Sequence, residues 1–199
     1  MSAERSSLPA TNTELLQGLS NPANRTVWTQ YVERYRPLLE RTAQRAGLRV
    51  ADAEEVAQVA LVDFADAYAR GEYRRDQGRL RAWLFGILRN RVRDRGRELG
   101  RERELRAGET ALDGVPAPAD LERIWDEEWQ AAILRRCAVL VRAEVRPETF
   151  EAFERHVMQG EAVAQVAAEL SLTPEQVYDA KRRILRRLRE LRPVLEETW

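Results

Sequence analysis

Residues 79–97, RLRAWLFGILRNRVRDRGR, constrain this chain more than any other stretch. At about 100° per residue, Trp83, Leu84, Ile87 and Leu88 gather on one side of a helix. Arg89, Asn90, Arg93 and Arg97 fall within a separate arc. A helix buried on one face and polycationic on the next suits a polyanion. It is also how an ordinary core helix with a solvated arginine face looks, and this segment alone leaves both readings open. No stretch shows the sustained apolar/polar alternation, rich in Val, Ile and Thr, that a strand requires. The predicted fold class is therefore all-α, as two helical domains joined by a flexible linker.

The formal net charge is zero, from 33 basic and 33 acidic residues, but the charges are segregated. Between Arg70 and Arg106 thirteen arginines stand against six acids, and between Lys181 and Arg192 seven bases stand against one. The stretch from Asp113 to Glu154 is rich in Asp and Glu. Two basic blocks held apart by an acidic middle suggest a polyanion contacted at two places. Lys181 is the only lysine. Genome composition can cause such a bias, and the planar arginine fork also suits phosphate and guanine.

Several function classes are excluded or weakened. Cys137 and His156 are each alone in their residue type, so neither an intrachain disulfide nor a zinc site of the usual Cys/His kind can be assembled. Cys137, within AAILRRCAVLV, reads as a small buried hydrophobe. The apolar runs are too short to span a bilayer, and MSAERSSLPATNTE lacks the apolar core of a signal peptide, so a cytoplasmic protein without membrane insertion is expected. For an enzyme the chain offers no Gly-rich phosphate loop. Its adjacent carboxylates Glu54 and Glu55 lie on a surface helix without sign of a pocket. No catalytic residue, metal ligand or cofactor is expected.

Along the chain, residues 11–19 suit a short helix that SNPAN breaks. Asn24 can cap the next helix, with Val27, Trp28, Tyr31, Tyr35, Leu38 and Leu39 at helical spacing and Pro37 as a kink or junction. Asp52 can cap a third, whose stripe is Ala53, Val56, Ala57, Ala60, Leu61, Phe64 and Tyr68 and which Gly71 ends. The loop GEYRRDQG leads into the arginine helix, where Gly96 and Gly100 are expected to weaken helicity. ETALDGVPAPAD is the best linker. A long helix at 119–144 follows, then one opened by Pro147 and closed by Gly160. The expected division is an N-terminal extension at 1–24, a first domain at 25–107, a linker at 108–118 and a second domain at 119–199.

The C-terminal pattern is that of a helix-turn-helix. Val163, Val166, Ala167 and Leu170 form the inner face of its first helix, and Leu172 fills the turn. Thr173 and Gln176 have capping-box spacing around Pro174. Val177, Ala180, Ile184, Leu188 and Leu191 form the inner face of the second helix. Its other face carries Glu175, Tyr178, Asp179, Arg182, Arg183 and Arg186. Arginine can read guanine and an acid can accept from cytosine N4, so this face suits base and phosphate contact. A plain helical hairpin is the alternative. Ser171 stands where such turns often carry glycine and is harder to place in a left-handed conformation.

Two further stretches carry a resemblance. DAEEVAQVALVDF resembles the DAED-x-x-Q-x-x-F stretch of bacterial extracytoplasmic-function sigma factors of the sigma-70 class. GRLRAWLFGILRNRVRDRGR resembles their F-R-A-W-L-x-x-I-x-x-N-x-x-x-D-x-x-R stretch. The matching residues are Asp52, Ala53, Glu54, Glu55 and Gln58, then Arg81, Ala82, Trp83, Leu84, Ile87, Asn90, Asp94 and Arg97. Leu61 and Leu80 replace the usual Phe. The helix-turn-helix, with VYDAKRRILRRLRE, is similar to the fourth domain of that family, so the resemblance covers all but about the first 24 residues.

The resemblance implies a detachable specificity subunit of bacterial RNA polymerase that directs transcription initiation. Asp52, Glu54, Glu55 and Gln58 would meet the clamp helices of the largest catalytic subunit. Tyr73, Arg74, Arg75, Arg89, Asn90, Arg93 and Arg97 would engage the minus-ten element as duplex and as melted single strand. Glu175, Tyr178, Asp179, Arg182, Arg183 and Arg186 would read the minus-thirty-five element beside the flap of the other large subunit. Unstacking duplex bases costs a few kcal/mol per step, which aromatic, pocket and phosphate contacts must offset. Trp83 could serve the core or the DNA. An anti-sigma factor is left open as a further partner. The rival reading is a helix-turn-helix transcriptional regulator that acts independently of core polymerase. It accounts for the C-terminus but not for the arginine helix or the acids before it.

Overall fold

The computed structural model describes residues 12–19, 21, 24–73, 80–107 and 118–198. Its helices are α1 (Asn12–Leu19), α2 (Arg25–Arg45), α3 (Val50–Ala69), α4 (Leu80–Ala107), α5 (Pro118–Glu144), α6 (Pro147–Phe153), α7 (Val163–Glu169) and α8 (Pro174–Thr198). There is no strand among the described residues, so the all-α expectation holds. A π-helical turn, Glu154–Met158, extends α6 and was not foreseen. The chain divides into two compact units, residues 1–129 and 130–199, so the boundary falls inside α5.

In the first unit the helical spacing of the apolar residues makes the core. Tyr31, Tyr35, Leu38 and Leu39 of α2 are buried with Ala53, Ala57, Ala60 and Phe64 of α3 and Leu84, Leu88 and Val92 of α4. Asn24 caps α2 as expected, its Oδ1 accepting from the Val27 amide at 3.3 Å. Pro37 does not end α2. An interior proline costs about 3 kcal/mol, and the burial of Tyr35, Leu38 and Leu39 around it offsets that. Helix α1 lies in the stretch expected as an extension, yet Leu15 and Leu19 are buried. Gly18 permits this approach, because a Cβ there would stand 2.6 Å from Val27 Cγ2.

Two expectations for this unit are corrected. Gly96 and Gly100 do not interrupt α4, which runs on to Ala107. Each glycine costs about 1 kcal/mol, and side-chain bonds along the helix, such as Arg95 to Glu98 at 3.1 Å, support it. The second correction concerns where the second unit begins, since the expected start was residue 119. Residues 108–117 lie outside the described set, but the helix that follows starts within the first unit. Trp125 and Trp129 are buried there. Trp125 stacks on Phe85 of α4 with centroids 5.6 Å apart, and Trp129 on Tyr35 of α2 at 6.5 Å. Arg45 binds Glu127 and Glu128, and Arg81 binds Asp126. Aromatic burial and these ion pairs together attach residues 118–129 to α2 and α4.

In the second unit Ile133, Cys137 and Val141 repeat every four residues and are buried, so Cys137 is the small core hydrophobe expected. Pro147 opens α6, and Gly160 follows the π turn with φ +76°. A compact cluster of Ala152, Val166, Ala167, Val177 and Ala180, flanked by Val163, Leu170 and Leu172, joins α6, α7 and α8. Thr173 and Gln176 form the capping box. The Gln176 amide donates to Thr173 Oγ1 at 3.2 Å, and the Thr173 amide donates to Gln176 Oε1 at 2.7 Å. Helices α3 and α7 end by the same device. After α3, Gly71 takes φ +72° while the Glu72 amide donates to Ala67 O and the Gly71 amide to Tyr68 O. After α7, Ser171 takes φ +55° while the Leu172 amide donates to Ala167 O.

Ser171 is thus an L-residue held in the left-handed region, which costs roughly 1–2 kcal/mol. Ser171→Gly is expected to stabilise the second unit by about 1 kcal/mol, less than the full cost because glycine loses more entropy on folding. For a unit of this size that is a rise of roughly 4–8 °C in Tm, read by far-UV circular dichroism. An unchanged or lowered Tm would show that the turn is not strained.

Candidate functional site

The arginine helix sorts its own guanidinium groups. Arg91 binds Asp63 of α3, and Arg95 donates to Asp52 Oδ1 through Nε at 3.0 Å and Nη2 at 2.6 Å. Bonds first to Asp52 and then to Glu98 push the Arg95 pKa further up. Arg89, Asn90, Arg93 and Arg97 are left exposed on the face predicted for them. Arg97 lies 3.7 Å from Asp94, and Arg93 has no ion-pair partner among the described residues. The guanidinium of Arg89 lies 6.0 Å from the Phe85 ring.

Asp52 is not a cap. Arg49 occupies the N-cap position without a side-chain cap bond, because α3 begins at Val50. Asp52 is therefore third in the helix, buried and turned to Arg95. It is also the only acid of the first turn. Those two and Gln58 are exposed one turn on. Val59 and Val62 add exposed apolar surface to the same helix. Contact between α3 and a partner would therefore combine carboxylates with apolar side chains.

Next to the arginine face is an aromatic stack. Tyr73 lies on Trp83 with centroids 4.9 Å apart and planes at 22°, and Trp83 in turn packs on Phe64 at 4.8 Å. Phe64 stacks on Tyr31 at 5.2 Å. Burial, then the neighbouring Tyr35, pushes the Tyr31 phenol pKa well up. Trp83 is half-buried rather than fully in the core, so its apolar-stripe position described only one of its sides. Sequence spacing did not reveal the stack, since Tyr73 lies in a loop without periodicity. Arg74 and Arg75, predicted to act with Tyr73, lie outside the described residues.

In the second unit, Glu175, Tyr178, Asp179, Arg182, Arg183 and Arg186 are all exposed on α8. Arg182 pairs with Asp179. Arg187 turns the other way, donating to Glu144 at 2.6 and 2.9 Å and to Glu190 at 3.2 Å. Its hydrogen bond holds the Glu144 carboxyl below the usual range. The π turn places two residues that the sequence reading passed over. Arg155 binds Glu161, which precedes α7, and Glu169, its last residue. His156 has Nδ1 3.0 Å from Glu161 O and its ring edge-on to Tyr178 at 6.0 Å. The acids at 161 and 169, eight residues apart around a short helix, were the available signal.

Residues 31–102 match the family model of sigma-70 region 2. The matched span takes in α2 from Tyr31, all of α3 and α4 as far as Glu102. No curated protein matches the chain. The region 2 match supports a sigma-70 family member with a role in transcription initiation, and core RNA polymerase and promoter DNA as partners. No helix among the described residues is long and apolar enough to cross a membrane.

Two outcomes follow from the ion pairs. Arg95→Ala leaves the Asp52 carboxylate buried without its main partner and is expected to cost about 1–3 kcal/mol. Urea unfolding followed by tryptophan fluorescence reports this unit. Adding Asp52→Ala should cost less than the sum of the single changes, and strict additivity would remove the pair as a stabilising contact. The second outcome concerns pH. The bond to Arg155 lowers the Glu169 pKa, so its contribution is present at neutral pH and lost as pH falls through the folded-state value. The stability gap between wild type and Glu169→Gln should narrow as pH falls out of the ordinary carboxylate range and close below the lowered folded-state value, and a gap constant from neutral to acid would exclude the carboxylate as its source.

Proposed function

We propose that the chain is an extracytoplasmic-function type sigma factor, which binds core polymerase and recognises and melts promoter DNA. The observation that carries this reading is a coincidence. The sigma-70 region 2 match at residues 31–102 falls on the α3–α4 pair. On that pair, acids and valines face outward from one helix and exposed arginines from the other. A second unit with a capped helix-turn-helix follows it.

Glu54, Glu55 and Gln58 form the surface offered to the clamp helices, with Asp52 fixing α3 to α4 beneath them. Arg89, Asn90, Arg93 and Arg97 follow the phosphates of the minus-ten segment, and Tyr73 with Arg74 and Arg75 holds an unstacked base. Stacking of a base on an aromatic ring is worth about 1–3 kcal/mol, enough to offset most of one unstacking step. Glu175, Tyr178, Asp179, Arg182, Arg183 and Arg186 engage the minus-thirty-five segment from α8, through its bases and its backbone. The α3 acids are already negative, so binding to core polymerase needs no phosphorylation to supply charge. Control then rests on synthesis of the protein or on a sequestering partner.

Run-off transcription with core polymerase, with and without the unmodified chain, tests this reading. Promoter-specific transcripts are expected only when the chain is present. Glu54→Lys with Glu55→Lys should abolish core binding while leaving the helical circular dichroism intact. Arg182→Ala should cost roughly 1–3 kcal/mol of discrimination at one base pair of the upstream element. Tight operator binding by the chain alone, with no effect on core polymerase, would instead identify an independent helix-turn-helix regulator.

A further inference from the structure

Between α6 and α8 of the second unit runs an open groove of about 1040 Å³. Four guanidinium groups line it. Arg146 stands immediately before Pro147 at the start of α6, and Arg182, Arg183 and Arg186 lie on α8. Two carboxylates share the groove, Glu148 and Asp179. Asp179 is already engaged by Arg182, so the groove stays net cationic. Arg146, Arg183 and Arg186 are exposed, and none has an ion-pair partner among the described residues. Arg187, one position past Arg186, is by contrast fully occupied by Glu144 and Glu190.

The fold therefore uses Arg187 and leaves the other three with unneutralised charge. The side-chain oxygen of Gln176 is committed to the capping box, which leaves Gln176 Nε2 and Thr149 as the neutral polar groups on this groove. What the groove offers a ligand is positive charge on two separate elements, with few neutral groups to read a base edge. That chemistry suits a run of phosphates. A recognition helix reads bases with its N-terminal residues, while contacts from neighbouring elements go to the backbone and set register. Glu175 and Tyr178, nearer the start of α8, do not line the groove.

We infer that Arg146, Arg183 and Arg186 form a cradle for the phosphodiester backbone of duplex DNA, so that α6 takes part in DNA binding beside α8. The inference rests on the DNA-binding reading of α8. Within it, Glu175, Tyr178 and the Asp179–Arg182 pair face the bases, while the cradle neutralises phosphates and carries no sequence preference. Arg146, which lies outside the helix-turn-helix, is the residue that distinguishes the cradle from a recognition helix acting alone.

The experiment measures binding of the full chain to two short duplexes of unrelated sequence by fluorescence anisotropy across a range of salt. Arg146→Gln is expected to weaken both duplexes by the same factor. It should also reduce the magnitude of the slope of log K against log salt by about 0.9, the value of one lost phosphate contact. Arg183→Gln and Arg186→Gln should behave alike, and Arg146→Lys should keep the wild-type slope. An unchanged slope in Arg146→Gln overturns the cradle, as does a loss confined to one duplex. A wild type that binds neither duplex also overturns it. If Arg146→Gln lowers affinity for core polymerase but leaves the salt slope intact, the groove takes an acidic protein surface and the inference fails. Run-off transcription is read separately. A reduced slope without run-off activity keeps the cradle and removes the sigma factor reading. Run-off activity with an unchanged slope does the reverse.

Discussion

The ion pair between Arg95 and Asp52 is the contact on which the first unit's surface depends. It joins α4 to α3 at a largely desolvated position, with Arg91 and Asp63 forming a second tie between the same helices. Together they fix the rotation of α4 about its axis. With Arg91 and Arg95 turned inward, Arg89, Arg93 and Arg97 have nowhere to go but solvent. The same tie fixes α3, so Glu54, Glu55 and Gln58 point outward with Val59 and Val62. One pair thus orients a cationic face and an acidic–apolar face at once. Its strength comes from geometry as well as charge, since two nitrogens of one guanidinium meet one carboxylate oxygen.

In the second unit the comparable constraint is distributed. A π turn carries one extra residue per turn and so rotates the side chains that follow it. Here it brings Arg155 to acids at the two ends of α7 and His156 to the edge of Tyr178. The apolar cluster of small residues beneath allows α6, α7 and α8 to approach closely. Ser171 accepts a left-handed backbone to complete the turn between α7 and α8. Packing of Leu170 and Leu172 on the cluster supplies what the serine backbone opposes.

Helix α5 shows why periodicity alone misplaces a unit boundary. A composition rich in Pro, Gly and Asp before residue 118 is the sequence signature of a linker. It does not say which core the next apolar residues enter. Trp125 and Trp129 have large rings that pack on Phe85 and Tyr35, so the first turns of α5 belong with α2 and α4. From Ala132 onward the apolar residues join the other unit.

The sequence by itself determined the helices, most of their ends and the two basic faces. These follow from local rules: apolar spacing near 3.6, the Asn24 cap, the Thr173–Gln176 box, and glycine at position 71 where φ must be positive. The family motifs also lay in contiguous stretches and were legible. Only the tertiary structure decided which charged groups the fold consumes. Arg93 and Arg95 are alike in sequence, but one is exposed and the other is bonded to an acid 43 residues away. Asp52 read as a cap because a single strand of sequence shows only local acceptors. Arg146 could not be placed beside Arg183 and Arg186, since nothing local relates α6 to α8. Long-range pairing depends on how helices pack, and packing is a property of the assembled core rather than of any one segment.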